Sequence, residues 1–172
     1  MNARPIEQLL RRRIQWMTWI LIFGLVVAGV TALPLQKELD AAARLLGAGD
    51  QASAASGLAR WIVTVRDALH DTYAKYPFIG YGTDWLAFGH IVIAIAFFGA
   101  LNHPLRNSWL FTWGMIACVL VIPWALICGE VRGIPVWWRL IDCSFGVVGF
   151  VPCWLAARWS RELERLKSRP ES

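Results

Sequence analysis

Two short stretches carry the residue types from which chemistry inside a membrane is built. Tyr81 to His90 (YGTDWLAFGH) sets an acid, Asp84, at the lip of an apolar segment and a histidine, His90, within it. Arg139 to Asp142 (RLID) opens the last apolar segment. An ionisable group in hydrocarbon is costly even on lenient insertion scales, so it faces a partner or a water-filled cavity. His90 lies five residues past Trp85, and Asp142 six past Val136. At about 1.5 Å per residue both fall roughly 8–9 Å below the same edge, so each is the expected partner of the other. A carboxylate beside the ring favours imidazolium and fixes its tautomer. Arg139, one turn above Asp142, is placed to pair with it or to snorkel outward. With Glu130 and Arg132 at the same mouth, the predicted cluster is Asp84, His90, Glu130, Arg132, Arg139 and Asp142, open to the outer side.

Helical spacing agrees with that placement. Asp142, Gly146, Gly149 and Cys153 form one stripe, and Ala87, His90 and Ala94 another. Small neighbours around a polar group mark a face that meets a helix. Such a cluster is either polar glue that fixes helix register or a site for a ligand, a proton or a partner. Haem b is the cofactor alternative, but bis-histidine ligation needs a second buried histidine. His103 is thirteen residues below His90 on the same segment, and no other crossing contains one. One chain therefore offers His90 as a single axial ligand. Cys128 and Cys143 differ in depth by about 10 Å, too far for an undistorted disulfide, while Cys118 and Cys153 read as packing residues. No nucleophile–base pair, phosphate-binding glycine loop or metal-ligand spacing stands out, and enzymatic activity is left open.

The elements that position these residues are apolar. Hydrophobic residues make up 57% of the 172-residue chain and charged residues 17%, against roughly 45–50% and about 25% in soluble domains. The net charge of +5 resides mainly at the ends and in short turns, which fits membrane flanks and not a nucleic-acid groove. The chain reads as one membrane domain, residues 1–172, with crossings over about 16–35, 85–101, 109–128 and 136–157. The first is longer than the roughly 7–15 apolar residues of a signal peptide, so it is expected to be retained. Gly24, Ala28 and Ala32 give it a small-residue face expected to pack against another helix. Pro123 is expected to bend the third crossing.

Residues 36–84 read as an extracytoplasmic helical segment. Leu35, Leu39, Ala42 and Leu46 follow helical spacing, with Gly47 as a stop. After a small-residue link, Gly49 to Gly57, a helix capped by Ser56 sets Leu58, Trp61, Ile62, Val65, Leu69, Thr72 and Tyr76 on one face. Tyr76-Pro77 ends it. Both helices are expected to be amphipathic and to lie along the membrane surface or fold over the bundle mouth, with His70 solvated beside the charged face. Ten basic residues fall on the side of the termini and seven on the other, which places both termini in the cytoplasm. Trp16, Trp85, Trp109, Trp137 and Trp159 lie near the ends of crossings, as an interfacial aromatic belt requires. A charged C-terminal tail is expected to extend the last helix and fray at Pro170.

The stretch YGTDWLAFGH, the His103-Pro104 turn, and CGEVRGIP leading into LIDCSFG resemble small bacterial four-helix integral membrane proteins with no assigned activity, over roughly residues 76–162. The resemblance implies a fold and no chemistry. The expectation is an all-α polytopic protein of the bacterial inner membrane, in contact with the bilayer and with a membrane partner or further copies of itself. Its expected role is non-catalytic, as an accessory or small-ligand-binding protein without a cofactor. The alternative is a haem-binding or proton-coupled redox protein that uses His90.

Overall fold

The apolar run that begins near Trp16 belongs to a helix that starts well before it. Arg11, Arg12, Arg13 and Gln15 are good helix formers, and Pro5 stands in the first turn, where its missing N–H costs nothing. A computed structural model describes residues 3–47 and 57–168, and in it helix α1 runs over Ala3–Ala32. Then follow α2 (Leu35–Leu45), α3 (Gly57–Lys75), a 3-10 turn (Pro77–Gly80), α4 (Tyr81–Asn102), α5 (Trp109–Val131) and α6 (Val136–Lys167). No strand occurs among the described residues. Four helices, α1, α4, α5 and α6, are long and apolar enough to cross a membrane. The expected link after Gly49, the Ser56 cap and Pro170 lie outside the described residues.

The chain forms two compact units, Met1–Gly24 with Ile93–Ser172, and Leu25–Val92. In the first, parts of four helices pack. Trp19 of α1 meets Phe98 of α4 edge-on at 5.7 Å, and Phe97 of α4 meets Phe111 of α5 at 6.2 Å. Helices α5 and α6 pair along their length. Arg13 of α1 lies over the Trp159 ring of α6 at 5.5 Å. Leu10, Ile14, Thr18 and Ile22 form the buried stripe of α1, and Thr18 satisfies its hydroxyl on the Ile14 carbonyl at 2.8 Å.

This stripe corrects the expectation for α1. Gly24 and Ala28 are exposed, and a Cβ placed on Gly24 meets nothing within 4 Å. The close approach is made instead at Gly29, in the second unit. A Cβ there would lie 3.0 Å from the Ala87 carbonyl and 3.1 Å from the His90 Cβ of α4. In α5 and α6 the small-residue stripe does pack. A Cβ on Gly146 would fall 2.5 Å from the Cys118 carbonyl oxygen, and one on Gly149 2.9 Å from the Cys118 sulfur. Likewise a Cβ on Gly114 would fall 2.7 Å from the sulfur of buried Cys153. Helix α5 continues through Pro123, and α6 through Pro152.

The second unit joins the end of α1 and the start of α4 to α2 and α3. Helix α2 stops where Gly47 adopts φ of 64°, a left-handed conformation that glycine takes without a Cβ clash. Ala43 of α2 is buried with Ala59, Ile62 and Val63 of α3, and Leu39 and Ala42 cover them. Across the same helix pair, His70 Nε2 lies 3.1 Å from Asp40 Oδ1. His70 is exposed, as the sequence suggested, and in addition contacts a carboxylate thirty positions away. Beyond α3, the Tyr73 ring lies over Gly80, and the Thr83 hydroxyl donates to the Gly80 carbonyl at 2.7 Å. These contacts fix the entry into α4.

Candidate functional site

The six residues of the predicted cluster divide between the units: Asp84 and His90 belong to one, Glu130, Arg132, Arg139 and Asp142 to the other. Helix α4 begins at Tyr81, so Asp84 lies exposed in its first turn, where the helix dipole favours a carboxylate. His90 is half-buried two turns further on, between buried Ala87 and Ala94. Its Nδ1 lies 2.8 Å from the Leu86 carbonyl oxygen. A carbonyl only accepts, so Nδ1 carries the proton and, in the neutral ring, Nε2 keeps its lone pair.

The other four residues are organised by the turn between α5 and α6. Helix α5 ends in a Schellman motif: Gly133, at φ of 67°, donates to the Glu130 carbonyl at 3.1 Å, and Ile134 donates to the Gly129 carbonyl at 2.9 Å. Pro135 follows and starts α6. The turn folds the C-terminal end of α5 back towards Arg139. Arg139 Nε donates to the Ile134 carbonyl at 2.7 Å, and its Nη1 pairs with the Glu130 carboxylate. The aliphatic stem runs across Gly129, where a Cβ would fall 2.7 Å from both Cγ and Cδ. The Arg139 side chain is 11% exposed, against 75% for Glu130. Arg139 therefore pins its own turn through Glu130 and Ile134, where the sequence suggested Asp142 or outward snorkelling. Arg132 is exposed at the C-cap of α5, and Asp142 is half-buried one turn above Gly146.

Three contributors escaped the sequence reading. Gly129 supplies the bed for Arg139. Asn107, in the turn between α4 and α5, donates through Nδ2 to the Gly99 carbonyl at 2.8 Å and the His103 carbonyl at 3.2 Å, and so adds a second donor to each beside a backbone N–H. Gly114 receives the Cys153 sulfur. All four cysteines are free, and Cys143 directs its thiol to the Ile122 carbonyl at 3.8 Å. Between α5 and α6 lies an open apolar cleft of about 180 Å³, lined by Cys118, Val119, Ile122, Gly146, Val147, Phe150 and Val151. Among the described residues, no group of three or more His, Cys, Asp or Glu is placed to hold a metal ion. Comparison with protein families, with curated proteins and with solved structures finds no match.

Proposed function

We propose that the chain is an integral protein of the bacterial inner membrane, with both termini cytoplasmic, that works without catalysis as an accessory or small-ligand-binding protein. Large apolar side chains on the outward faces support the membrane part. Phe23, Trp124, Phe145 and Val148 are each 68–73% exposed, which water penalises and lipid does not. Helices α2 and α3 lie along the outer surface as amphipathic elements, and ten basic residues against seven set the orientation. The observation that carries the non-catalytic role is Arg139. The most enclosed charge at the outer turn uses its donors on Ile134 and Glu130, a structural commitment that leaves Arg132 and the open edge of Glu130 to meet a polar ligand or partner.

A second reading rests on His90. A metal-ligating histidine usually donates its other ring N–H to a carbonyl or carboxylate, which orients the ring, and the Leu86 bond does this for Nε2. His90 would be the residue of this chain that holds haem b, through Nε2. Haem would supply one-electron chemistry when bound, and His90 would hold and orient it. A visible absorption spectrum of the protein purified in mild detergent, after expression with haem precursor, separates the readings. The accessory role predicts no Soret band. A stoichiometric Soret band that His90→Ala abolishes overturns it.

A further inference from the structure

Both terminal helices run past the apolar stretch as one antiparallel pair. Glu7 of α1 pairs with Lys167 of α6 at 3.5 Å, and Arg13 lies over Trp159. Along this pair Leu10, Ile14, Ser160 and Leu163 are all buried. The charged ends are therefore held by a packed core. Described residues 5–16 and 158–168 carry seven basic side chains (Arg11, Arg12, Arg13, Arg158, Arg161, Arg165 and Lys167) and three acidic ones. Glu7 is already engaged by Arg11 at 3.1 Å and by Lys167, so a clear positive excess remains.

The depth of that excess decides its partner. Arg12, Arg13, Arg158 and Arg161 are exposed and lie within about one helical turn, roughly 5.4 Å, of the edges of the apolar stretches. Two of them are held to tryptophan rings, Arg13 to Trp159 and Arg158 to Trp154, with guanidinium carbons 5.5 and 5.7 Å from the ring centroids. Trp159, at a crossing end, sits at headgroup level, and Trp154 lies about one helical turn inside it. A guanidinium stacked on its face keeps its N–H edge free for a bidentate bond to phosphate. A soluble polyanion would need charges that project beyond the headgroups. These are anchored among them.

We propose that this surface binds the headgroup of an anionic glycerophospholipid, with Arg12, Arg13, Arg158 and Arg161 as the phosphate contacts. The inference rests on the membrane-spanning reading, and the test keeps the two apart. The full chain is delipidated in detergent and reconstituted into nanodiscs of phosphatidylcholine with a varied fraction of phosphatidylglycerol. Incorporation into the discs reports the membrane reading. Retention of phosphatidylglycerol, read by native mass spectrometry after release, reports the lipid preference. Each arginine near an anionic surface contributes about fivefold, so the R12Q/R13Q/R158Q/R161Q variant should lose at least about tenfold in phosphatidylglycerol retention relative to phosphatidylcholine. If that variant does not fold, the wild-type preference should still fall as salt is raised from about 0.05 to 0.5 M, a range over which screening shortens severalfold. Equal retention of the two lipids by the wild type overturns the proposal. So does a preference indifferent to both salt and the four substitutions, or retention of free glycerol 3-phosphate equal to that of phosphatidylglycerol, which would mean a soluble phosphate site.

Discussion

Gly146→Ala should weaken the protein in spite of a better helix former. The new Cβ would lie 2.5 Å from the Cys118 carbonyl oxygen and 3.4 Å from Ile122 Cγ1. A backbone oxygen cannot rotate away as a side chain can. Bringing the contact even to 3.0 Å requires α5 and α6 to part locally by about 0.5 Å. A gap of that size forfeits about a quarter of the dispersion energy of each atom pair it opens. Over a few tens of pairs along the α5–α6 seam the loss is on the order of 1–2 kcal/mol, and overpacking of this kind costs about 1–3 kcal/mol in practice. Removing glycine from a helix returns up to about 1 kcal/mol, so a net loss of about 1–2 kcal/mol is expected. Gly24→Ala is the internal control. Nothing lies within 4 Å of its Cβ position, so the propensity gain should stand alone, and the variant should be as stable as the parent or more so. Unfolding in mixed micelles by an SDS titration, followed by tryptophan fluorescence, reads both. Gly146→Ala at parental stability would refute the close contact, and Gly24→Ala as damaging as Gly146→Ala would refute the assignment of the packed face.

Arg139→Met should cost about 1–3 kcal/mol in the same titration, because it removes a charge-assisted bond to the Ile134 carbonyl. Glu130→Gln should cost under about 1 kcal/mol, since the carboxylate is 75% exposed and its ion pair is screened. Equal losses from the two would mean that the ion pair, not the carbonyl bond, holds the turn. Asn107→Ala should cost about 1 kcal/mol and speed amide hydrogen exchange in the turn after α4, where its side chain is a second donor to the Gly99 and His103 carbonyls. Unchanged exchange there would show that the side chain is dispensable.

The long apolar runs were legible, because crossing hydrocarbon demands length and hydrophobicity whatever the packing. The stop at Gly47 was legible for a local reason: a helix that ends in a left-handed residue calls for glycine, a signal that Gly133 also carries but that was not read there. Which face of a crossing packs was harder. Lipid and protein interior are both apolar, so the hydrophobic pattern that betrays a soluble core loses its contrast. Small residues then become the clue, and they misled at Gly24 and Ala28 while guiding correctly at Gly146, Gly149 and Cys153. In the candidate cluster, helical spacing within α6 pointed Arg139 towards Asp142. The Schellman turn brings Glu130 and Ile134 to Arg139 from the preceding helix, a relation set by turn geometry and not by spacing. The contact of His70 with Asp40 joins two helices across a link, and a one-dimensional pattern holds no sign of it.

Membrane topology tests the central claim most directly. In a background with Cys118, Cys128, Cys143 and Cys153 replaced by alanine, single cysteines are placed at Ala74, exposed near the end of α3, and at Ser168, exposed at the C-cap of α6. Intact cells are treated with a membrane-impermeant maleimide before and after permeabilisation. Four crossings with cytoplasmic termini predict that Ala74→Cys labels in intact cells and Ser168→Cys only after permeabilisation. Labelling of Ser168→Cys in intact cells, with Ala74→Cys protected, would contradict the orientation, and labelling of both would contradict the membrane passage of the helices between them.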